Sequence, residues 1–343
     1  MRLPHYKVNA ALLLIIIVFT AGCFPSAFFQ PKPYKETQFL MDTIIEITAS
    51  GPDCETAVKA AFDEFRHIQK ISDHFNPDSQ VSKINQMAGI SPVTVDHDLI
   101  NMVTYANDIS KKTDGAFDIS IGPLSDLWGI GHKDDFVPAK EDIDKVLPLV
   151  DYRKIQVNKD NETIYLEQNG MKLDLGGVAK DYALNKAAEV LKAHGIKSAL
   201  INAGGDIQII GTKPDGKPWR IGVQDPRNSD NIIAKITMDS WNISQTSGDY
   251  QRFFIKNGIR YAHILDPKTG KQAPELASVT LIYNDSAIAA VGDIASSAFM
   301  VLGLEKGMSA LQRFPGVEAI FITTDNKIVV TPGLQDKVEL SQQ

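Results

Sequence analysis

The sequence has few of the residues and patterns that would place it in several common protein classes. It has two cysteines, Cys23 and Cys54, in 343 residues, which excludes a small disulfide-rich scaffold. It contains no HExxH, CxxC or G-x-S-x-G pattern, so zinc peptidase, thiol–disulfide and α/β-hydrolase interpretations lack support. Neither G-x-G-x-x-G nor G-x-x-x-x-G-K-[ST] occurs, so the common dinucleotide and P-loop interpretations lack their signature.

The chain is also short of positive charge. Its 35 lysines and arginines are outnumbered by 42 aspartates and glutamates, for a formal net charge of −7 at pH 7. A nucleic-acid-binding protein needs a basic surface, so this balance argues against nucleic acid as a partner. It also suggests that a bound polyphosphate would need a metal ion in addition to side chains. With 43% hydrophobic and 22% charged residues, the sequence has the composition of a globular protein.

The apolar run Ala10–Phe19 has ten residues, which is too few to span a bilayer. It follows Arg2 and Lys7 and precedes Thr-Ala-Gly-Cys at residues 20–23, an order typical of an export leader. Small residues before a cysteine resemble a bacterial lipobox, in which residues 1–22 are a signal peptide and Cys23 is lipidated. An ordinary secretory leader with an incidental cysteine is the alternative. Both interpretations place the mature protein outside the cytoplasm, and removal of Arg2 and Lys7 takes the net charge from −7 to −9.

Residues 23–36 contain three prolines and few periodic apolar positions, which suits an extended tether that follows the lipidated cysteine. We expect one folded domain over residues 37–343, without an internal linker or repeat. If Cys23 is acylated, Cys54 has no partner within the chain, so the core must stabilise the fold without a disulfide.

The pattern of apolar residues predicts helices and strands in separate runs. Spacing of 3.6 residues predicts helices over 55–71 and 96–112 and a third between Gly177 and Gly195. Residues 132–149 are polar and charged and are interpreted as a surface excursion. Short β-branched or alternating runs predict strands at 39–48, 155–157, 163–166, 198–201, 207–210, 219–223, 234–237, 243–247, 251–255 and 279–283. Strands that are separate from helices indicate an α+β fold with antiparallel sheets and packed helices.

The stretch Asp174–Asp206 begins Asp-Leu-Gly-Gly-Val-Ala-Lys and ends Asn-Ala-Gly-Gly-Asp, with a predicted helix between. A glycine pair just before a helix lets backbone N–H groups approach an anion, and the helix N-terminus adds partial positive charge. The stretch therefore fits a phosphate-binding loop. The alternative is that the glycines serve turn geometry alone.

Two further segments could carry chemistry. His263 and Asp266 follow a predicted strand beside a Pro-x-x-Gly turn, where the histidine could act in acid–base catalysis or have a structural role. Asp293 and Ser297 are four residues apart, so on one helix they would face the same side and could share a cation. Asp293 is also a good helix cap. The glycine-flanked Trp128 could stack on a flat ring or fill a corner of the core.

Seven motifs occur in the order found in the ApbE family, and over residues 37–330 the sequence resembles this family of flavin transferases. The motifs are Met41-Asp42-Thr43, Pro77-Asp78-Ser79, Gly115–Asp118 with Gly122–Leu124 and Trp128–Gly131, Asp174–Lys180, Asn202–Asp206, His263–Gly270 and Asp293–Ser297. Two positions depart from the family pattern, because Asp42 and Asp181 stand where glycine is common.

The resemblance implies a Mg²⁺-dependent enzyme with an FAD and metal site between two sub-lobes. Such an enzyme splits FAD at its pyrophosphate, joins FMN through a phosphoester to a threonine or serine hydroxyl of an acceptor protein, and releases AMP. The metal would be held by the backbone carbonyl of Gly177 and the side chains of Asp293 and Ser297. We interpret His263 as the base that activates the acceptor hydroxyl and Asp266 as the group that orients it. The implied FAD contacts are Met41, Phe75, Ala116, Phe117, Asp118, Asp174, Lys180, His263 and Ile264.

The same resemblance implies that the acceptors are flavoprotein subunits of membrane redox complexes. We expect an exported protein that is held by its lipid at a membrane, at the periplasmic face of the inner membrane. Two other functions stay open at this point. One is hydrolysis of FAD to FMN and AMP at the same metal site, and the other is non-catalytic binding of FAD by a lipoprotein.

Overall fold

An antiparallel sheet, flanked by helices, organises the folded part of the chain. The computed structural model describes residues 32–131, 133, 135–285 and 295–341. Their strands are β1 (Tyr34–Leu40), β2 (Thr43–Ser50), β3 (Val93–Thr94), β4 (Ile155–Asn158), β5 (Thr163–Leu166), β6 (Ser198–Ala203), β7 (Asp206–Ile210), β8 (Trp219–Asp225), β9 (Asn228–Met238), β10 (Ile243–Gly248), β11 (Phe253–Lys256), β12 (Ile259–Ala262), β13 (Leu276–Tyr283), β14 (Glu318–Thr323), β15 (Ile328–Val330) and β16 (Val338–Leu340). Their α-helices are α1 (Cys54–Ser72), α2 (Gln80–Gln86), α3 (His97–Lys112), α4 (Gly122–Trp128), α5 (Lys140–Val146), α6 (Ala179–Ala193) and α7 (Ser296–Ala310).

Eight of the described strands form the main sheet, in the order β1-β2-β6-β7-β10-β13-β14-β15. Each neighbouring pair in it is antiparallel. Smaller antiparallel sheets are formed by β16-β9-β8, by β3-β5-β4 and by the β11-β12 hairpin. The predicted α+β class with antiparallel sheets and packed helices is therefore confirmed.

The main sheet has an apolar layer on each face, because neighbouring side chains of a strand point to opposite sides. In β14, Phe321 packs in the layer with helices α1, α3, α6 and α7, whereas Ile322 packs in the layer with β8 and β9. The periodic positions of α1, including Phe62 and Phe65, are fully buried against the first layer. This larger layer is the core that fixes the helix starts around the candidate site.

A third apolar cluster lies around Trp128 at the end of α4. Trp128 is 3% exposed and packs with Phe254 of β11 and with Leu265. Its indole N–H donates a hydrogen bond of 2.8 Å to the carbonyl of Gly270. Of the two interpretations of this tryptophan, the structure supports the core position, and the contact fixes the turn that follows β12.

The start of the fold differs from the prediction. β1 begins at Tyr34, before the predicted boundary at residue 37, so the end of the predicted tether is a strand. The single strand predicted over 39–48 is two strands joined by a turn at Met41 and Asp42, whose φ angles are 52° and 56°. Two consecutive left-handed residues suit the turn of a tight hairpin, and aspartate tolerates this conformation better than most side chains. Glycine would meet the same backbone requirement at position 42 without steric cost.

Three short helices, α2, α4 and α5, also have no counterpart in the prediction. The side chain of Ser79 caps α2, accepting a hydrogen bond of 3.0 Å from the N–H of Ser82. α5 lies within the predicted surface excursion and buries Ile143. A helix of seven residues contains too few periodic positions to stand out in a sequence pattern.

The segment from Lys32 to Gln343 forms one compact unit. Within the part of the chain that the structure describes, we find no helix that is long and apolar enough to cross a membrane.

Candidate active site

Turns and helix starts from distant parts of the chain line one cleft of about 550 Å³. Among the site residues predicted from the sequence, those that line it are Met41, Phe75, Ala116, Phe117, Asp118, Asp174, Gly177, Lys180, His263, Ile264 and Ser297. Asp266 lines a neighbouring groove instead. Cys23 and Asp293 lie outside the described residues.

The absence of a side chain at Gly177 lets two walls of the cleft meet. A Cβ atom at this position would lie 2.8 Å from Cε2 of Phe117, a distance that real Cβ contacts do not reach. The same atom would lie 3.7 Å from Oγ of Ser297, so Gly177 and Ser297 are neighbours across the cleft. The two predicted metal ligands within the described residues are thus brought together.

Asp174 shapes the turn before α6. Its Oδ1 accepts a hydrogen bond of 2.9 Å from the N–H of Gly176 and lies 3.6 Å from Nδ1 of His74. The N–H of Asp174 donates to the carbonyl of Ile119 at 2.8 Å. His74 is a cleft residue that sequence reasoning missed, and its ring packs on that of Phe75 with centroids 3.9 Å apart and planes tilted by 38°. In the sequence, the feature that could have indicated His74 was its position next to Phe75.

Ser297 lies in the first turn of α7, which begins at Ser296. The preceding residue, Ala295, has extended dihedral angles, with φ −97° and ψ 109°. The expectation that Asp293 and Ser297 face the same side of one helix is wrong, because the extended backbone at Ala295 keeps α7 from running through both positions. The assignment of Asp293 as a metal ligand stays a prediction.

Lys180 lies between two aspartates. Its Nζ forms an ion pair with Oδ2 of Asp206 and lies 3.5 Å from Oδ1 of Asp181. Asp206 also accepts a hydrogen bond of 2.7 Å from the N–H of Thr246, which joins the start of α6 to β10. Burial raises the pKa of Asp181, and the adjacent Lys180 opposes that shift. Asp206 was part of a quoted motif, but the sequence did not reveal that it pairs with this lysine.

Asp118 is buried, and its carboxylate holds the loop that carries Phe117. Oδ1 accepts hydrogen bonds from the N–H and the hydroxyl of Ser120, at 2.8 and 2.6 Å. Oδ2 accepts a bond of 2.8 Å from the N–H of Tyr152. Burial raises the pKa of Asp118, and these three bonds oppose the shift. The described contacts of this side chain therefore position Phe117 against Gly177.

His263 presents a neutral imidazole to the cleft. Its Nδ1 lies 3.3 Å from the carbonyl of Arg252, and because a carbonyl only accepts, Nδ1 carries the hydrogen in this contact. The remaining nitrogen, Nε2, is then the one that can accept a proton. Burial, reinforced by the positive charge of Arg252, lowers the pKa of His263 to about 4. No sequence pattern indicated Arg252, which lies eleven positions away, just before the other strand of the hairpin.

Asp266 stabilises its own turn. Its Oδ1 accepts a hydrogen bond of 2.9 Å from the N–H of Lys268, and its Oδ2 accepts one of 3.0 Å from the hydroxyl of Thr269. The predicted role of Asp266 in orienting His263 is therefore filled by a different group, the carbonyl of Arg252.

Comparisons with known proteins show the same family throughout. The profile of the ApbE family matches residues 41–321. An FAD:protein FMN transferase of Klebsiella pneumoniae (strain 342) is 33% identical over 302 residues, which are 88% of this chain and 92% of that protein. The crystal structure of the ApbE protein of Thermotoga maritima superposes with a TM-score of 0.81 at 32% identity, covering 89% of this chain and 99% of that one. The apo form of the flavinyl transferase ApbE of Pseudomonas stutzeri gives a TM-score of 0.78 at 29% identity, with 90% and 98% covered.

The contact between Gly177 and Phe117 predicts the effect of Gly177→Ala. The added methyl group must displace the Phe117 ring, so we expect a loss of about 1–3 kcal/mol in the free energy of unfolding and weaker FAD binding. Urea unfolding and FAD fluorescence titration measure the two effects. In a Phe117→Leu background the same substitution should cost less, and an equal cost in both backgrounds would contradict the assignment.

The surroundings of His263 predict an NMR titration of its imidazole with a midpoint of about 4, below the ordinary value of 6.5. Between these pH values the unfolded chain binds a proton that the folded one does not. The contribution of His263 to stability is therefore present above pH 6.5 and is lost as the pH falls to about 4. Arg252→Ala should raise the midpoint, and a wild-type midpoint near 6.5 would refute the assignment.

Proposed function

The chain belongs to the ApbE family and is a transferase with that family's α+β fold, and from this premise we propose that it moves FMN from FAD to a protein hydroxyl. In this proposal the reaction depends on Mg²⁺ and releases AMP. The observation that carries it is the composition of the cleft. One cleft is lined by the His263 imidazole, the Lys180 ammonium group and two residues with oxygen atoms that could bind a metal, Gly177 and Ser297.

The donor atoms fit magnesium, because Mg²⁺ prefers oxygen ligands and substrate phosphates to an all-protein cage. The carbonyl of Gly177 and the hydroxyl of Ser297 would hold the ion together with Asp293. Bound there, Mg²⁺ would supply positive charge that polarises the pyrophosphate and offsets its negative charge. The hydroxyl oxygen of Ser297 lies 3.7 Å from the position that a Cβ atom would take on Gly177, and this proximity supports a shared ligand.

His263 is the base of the proposed reaction. Its Nε2 accepts the proton of the acceptor hydroxyl, and the lowered pKa keeps the imidazole unprotonated at neutral pH. The hydroxyl oxygen then forms a bond to the phosphorus of the FMN half. The bond from that phosphorus to the bridging oxygen breaks, and AMP leaves with this oxygen. The Arg252 carbonyl orients the ring throughout by accepting from Nδ1.

Lys180 supplies positive charge for the phosphates of FAD. Asp206 directs its ammonium group from β7, and Asp181 balances part of its charge. Phe75, which is 52% exposed and packs at a tilt against His74, contributes an aromatic surface for a flat ring. Asp118 and Asp174 act mainly by holding the loops from which Phe117 and Gly177 meet.

The proposed acceptor is an exported flavoprotein subunit of a membrane redox complex. The leader-like segment that ends in Cys23 supports export and lipid anchoring, at the periplasmic face of the inner membrane. The chain between Cys23 and Tyr34 would then link the lipid to β1.

The proposed reaction predicts that Ser297→Ala, which removes a metal ligand, lowers the rate of FMN transfer by about tenfold to a hundredfold. Ser297→Thr keeps the hydroxyl and should retain the wild-type rate. The protein is incubated with FAD, Mg²⁺ and a purified candidate acceptor, and intact mass and AMP are measured. The Mg²⁺ concentration for half-maximal rate should rise for the alanine variant.

The same incubation separates the alternatives. A mass gain of FMN on the acceptor, with equimolar AMP, supports transfer. Free FMN and AMP with an unmodified acceptor would indicate an FAD pyrophosphatase. FAD that stays bound without release of AMP would indicate a non-catalytic binding protein.

The proposed anchor predicts that Cys23→Ser moves the protein from the membrane fraction to the soluble exported fraction. Mass spectrometry of the N-terminal peptide should show an acylated cysteine in the wild type. Cys54→Ser is the matched control and should leave the protein with the membrane, since this cysteine begins α1. Membrane association of the Cys23→Ser variant would remove the anchor from the proposal.

A further inference from the structure

A second groove, of about 400 Å³, opens beside the cleft. Ala116 and Val301 line both, so the two spaces adjoin at these residues. The groove contains three basic side chains, Lys268, Lys306 and Arg313, and we call it the basic groove. Such a concentration of positive charge contrasts with the net charge of −7 of the chain.

The acidic residues of the basic groove are already engaged. Asp114 pairs with Arg313 at 2.8 Å, and Arg313 also donates to the carbonyl of Lys112 at 2.7 Å. The carboxylate of Asp266 is occupied by its own turn. Within the described residues, neither the Lys268 nor the Lys306 ammonium has a carboxylate at ion-pair distance. Two exposed positive charges are therefore available to a ligand.

The position of Lys268 is set by the backbone beside it. A Cβ atom at Gly115 would lie 3.6 Å from Cε of Lys268, so the lysine stem packs over this glycine, at van der Waals distance. Gly115 has a φ of 75°, which disfavours any other residue there. The lysine thus extends along the groove beside the loop of Phe117.

One turn separates the two spaces. His263 and Pro267 face the cleft, and Lys268, the next residue, faces the basic groove. In the proposed reaction, the hydroxyl that reaches Nε2 of His263 belongs to a residue of the acceptor protein. The acceptor residues on either side of it must therefore run out of the cleft. The walls that the two spaces share at Ala116 and Val301 offer such a path into the basic groove.

We propose that the basic groove binds an acidic segment of the acceptor protein, next in sequence to the hydroxyl that receives FMN. This inference rests on the proposed function. The net negative charge of the enzyme disfavours an acidic partner elsewhere on its surface. Lys268 and Lys306, which pair with no carboxylate among the described residues, would attract carboxylates to the groove and align the acceptor segment relative to His263. The FAD phosphates have a separate cation, Lys180, within the cleft itself.

The test compares the wild type with Lys268→Glu/Lys306→Glu. Lys159→Glu/Lys197→Glu is the control, because it changes the net charge equally at two exposed lysines that line neither space. The probes are fluorescein-labelled synthetic peptides with one central threonine and three aspartates on its N-terminal or its C-terminal side. Matched peptides carry asparagines instead, and binding is measured by fluorescence anisotropy.

We expect at least one aspartate peptide to bind the wild type and the control alike, and the groove variant about tenfold more weakly. The asparagine peptides should bind weakly to all three proteins, and the affinity for FAD should stay the same. Lys306→Gln alone should give a smaller loss in the same direction, which keeps the test valid if the double variant unfolds.

Equal affinity of the aspartate peptides for all three proteins would overturn the proposal. So would a loss of FAD affinity in the groove variant with peptide binding unchanged, which would assign the groove to the phosphates of FAD. Groove-dependent peptide binding without any FMN transfer to acceptors would instead retain the groove and refute the proposed function.

Discussion

The ring of Phe117 lies so close to Gly177 that a single methyl group there would overlap it. This contact defines the shape of the cleft, because a carboxylate stabilises the loop of each partner. Asp118 fixes the loop of Phe117 through Ser120 and Tyr152. Asp174 fixes the glycine turn through Gly176. Oγ of Ser297 lies on the same side of Gly177 as the Phe117 ring, 3.7 Å from the position that a Cβ atom would take, so the geometry of the proposed metal site depends on the absence of a side chain there.

The Lys180 ammonium group is held by acidic neighbours in the cleft. Asp206 forms an ion pair with it and Asp181 lies 3.5 Å away, so the cation has a fixed position. His263 is neutral because burial and the nearby Arg252 oppose its protonation. An acidic protein can thus bind an anionic substrate with few positive groups, provided that each is oriented and that a divalent ion shares the charge.

The turn after β12 lies between the proposed base, His263, and Lys268 of the basic groove. It is anchored from one side by the hydrogen bond from Trp128 to Gly270 and from the other by the self-contained bonds of Asp266. A rigid turn of this kind can place His263 in the cleft and Lys268 in the basic groove at a fixed separation. In the proposed reaction this fixed separation sets the distance along the acceptor chain between the hydroxyl that receives FMN and the acidic residues bound in the basic groove.

Periodicity and turn chemistry act within a few residues, so the sequence alone predicts the α+β class, helices α1, α3 and α6, and the motifs whose residues meet in the cleft. The turn at Met41 and Asp42 and the short helices were missed because their patterns are too brief. Three features are visible in the folded chain alone: the Arg252 carbonyl contacts Nδ1 of His263, Lys180 pairs with Asp206, and Lys268 and Lys306 share a groove. These partners are brought together by the packing of helices on the sheet, and contacts between residues far apart in sequence leave no local pattern.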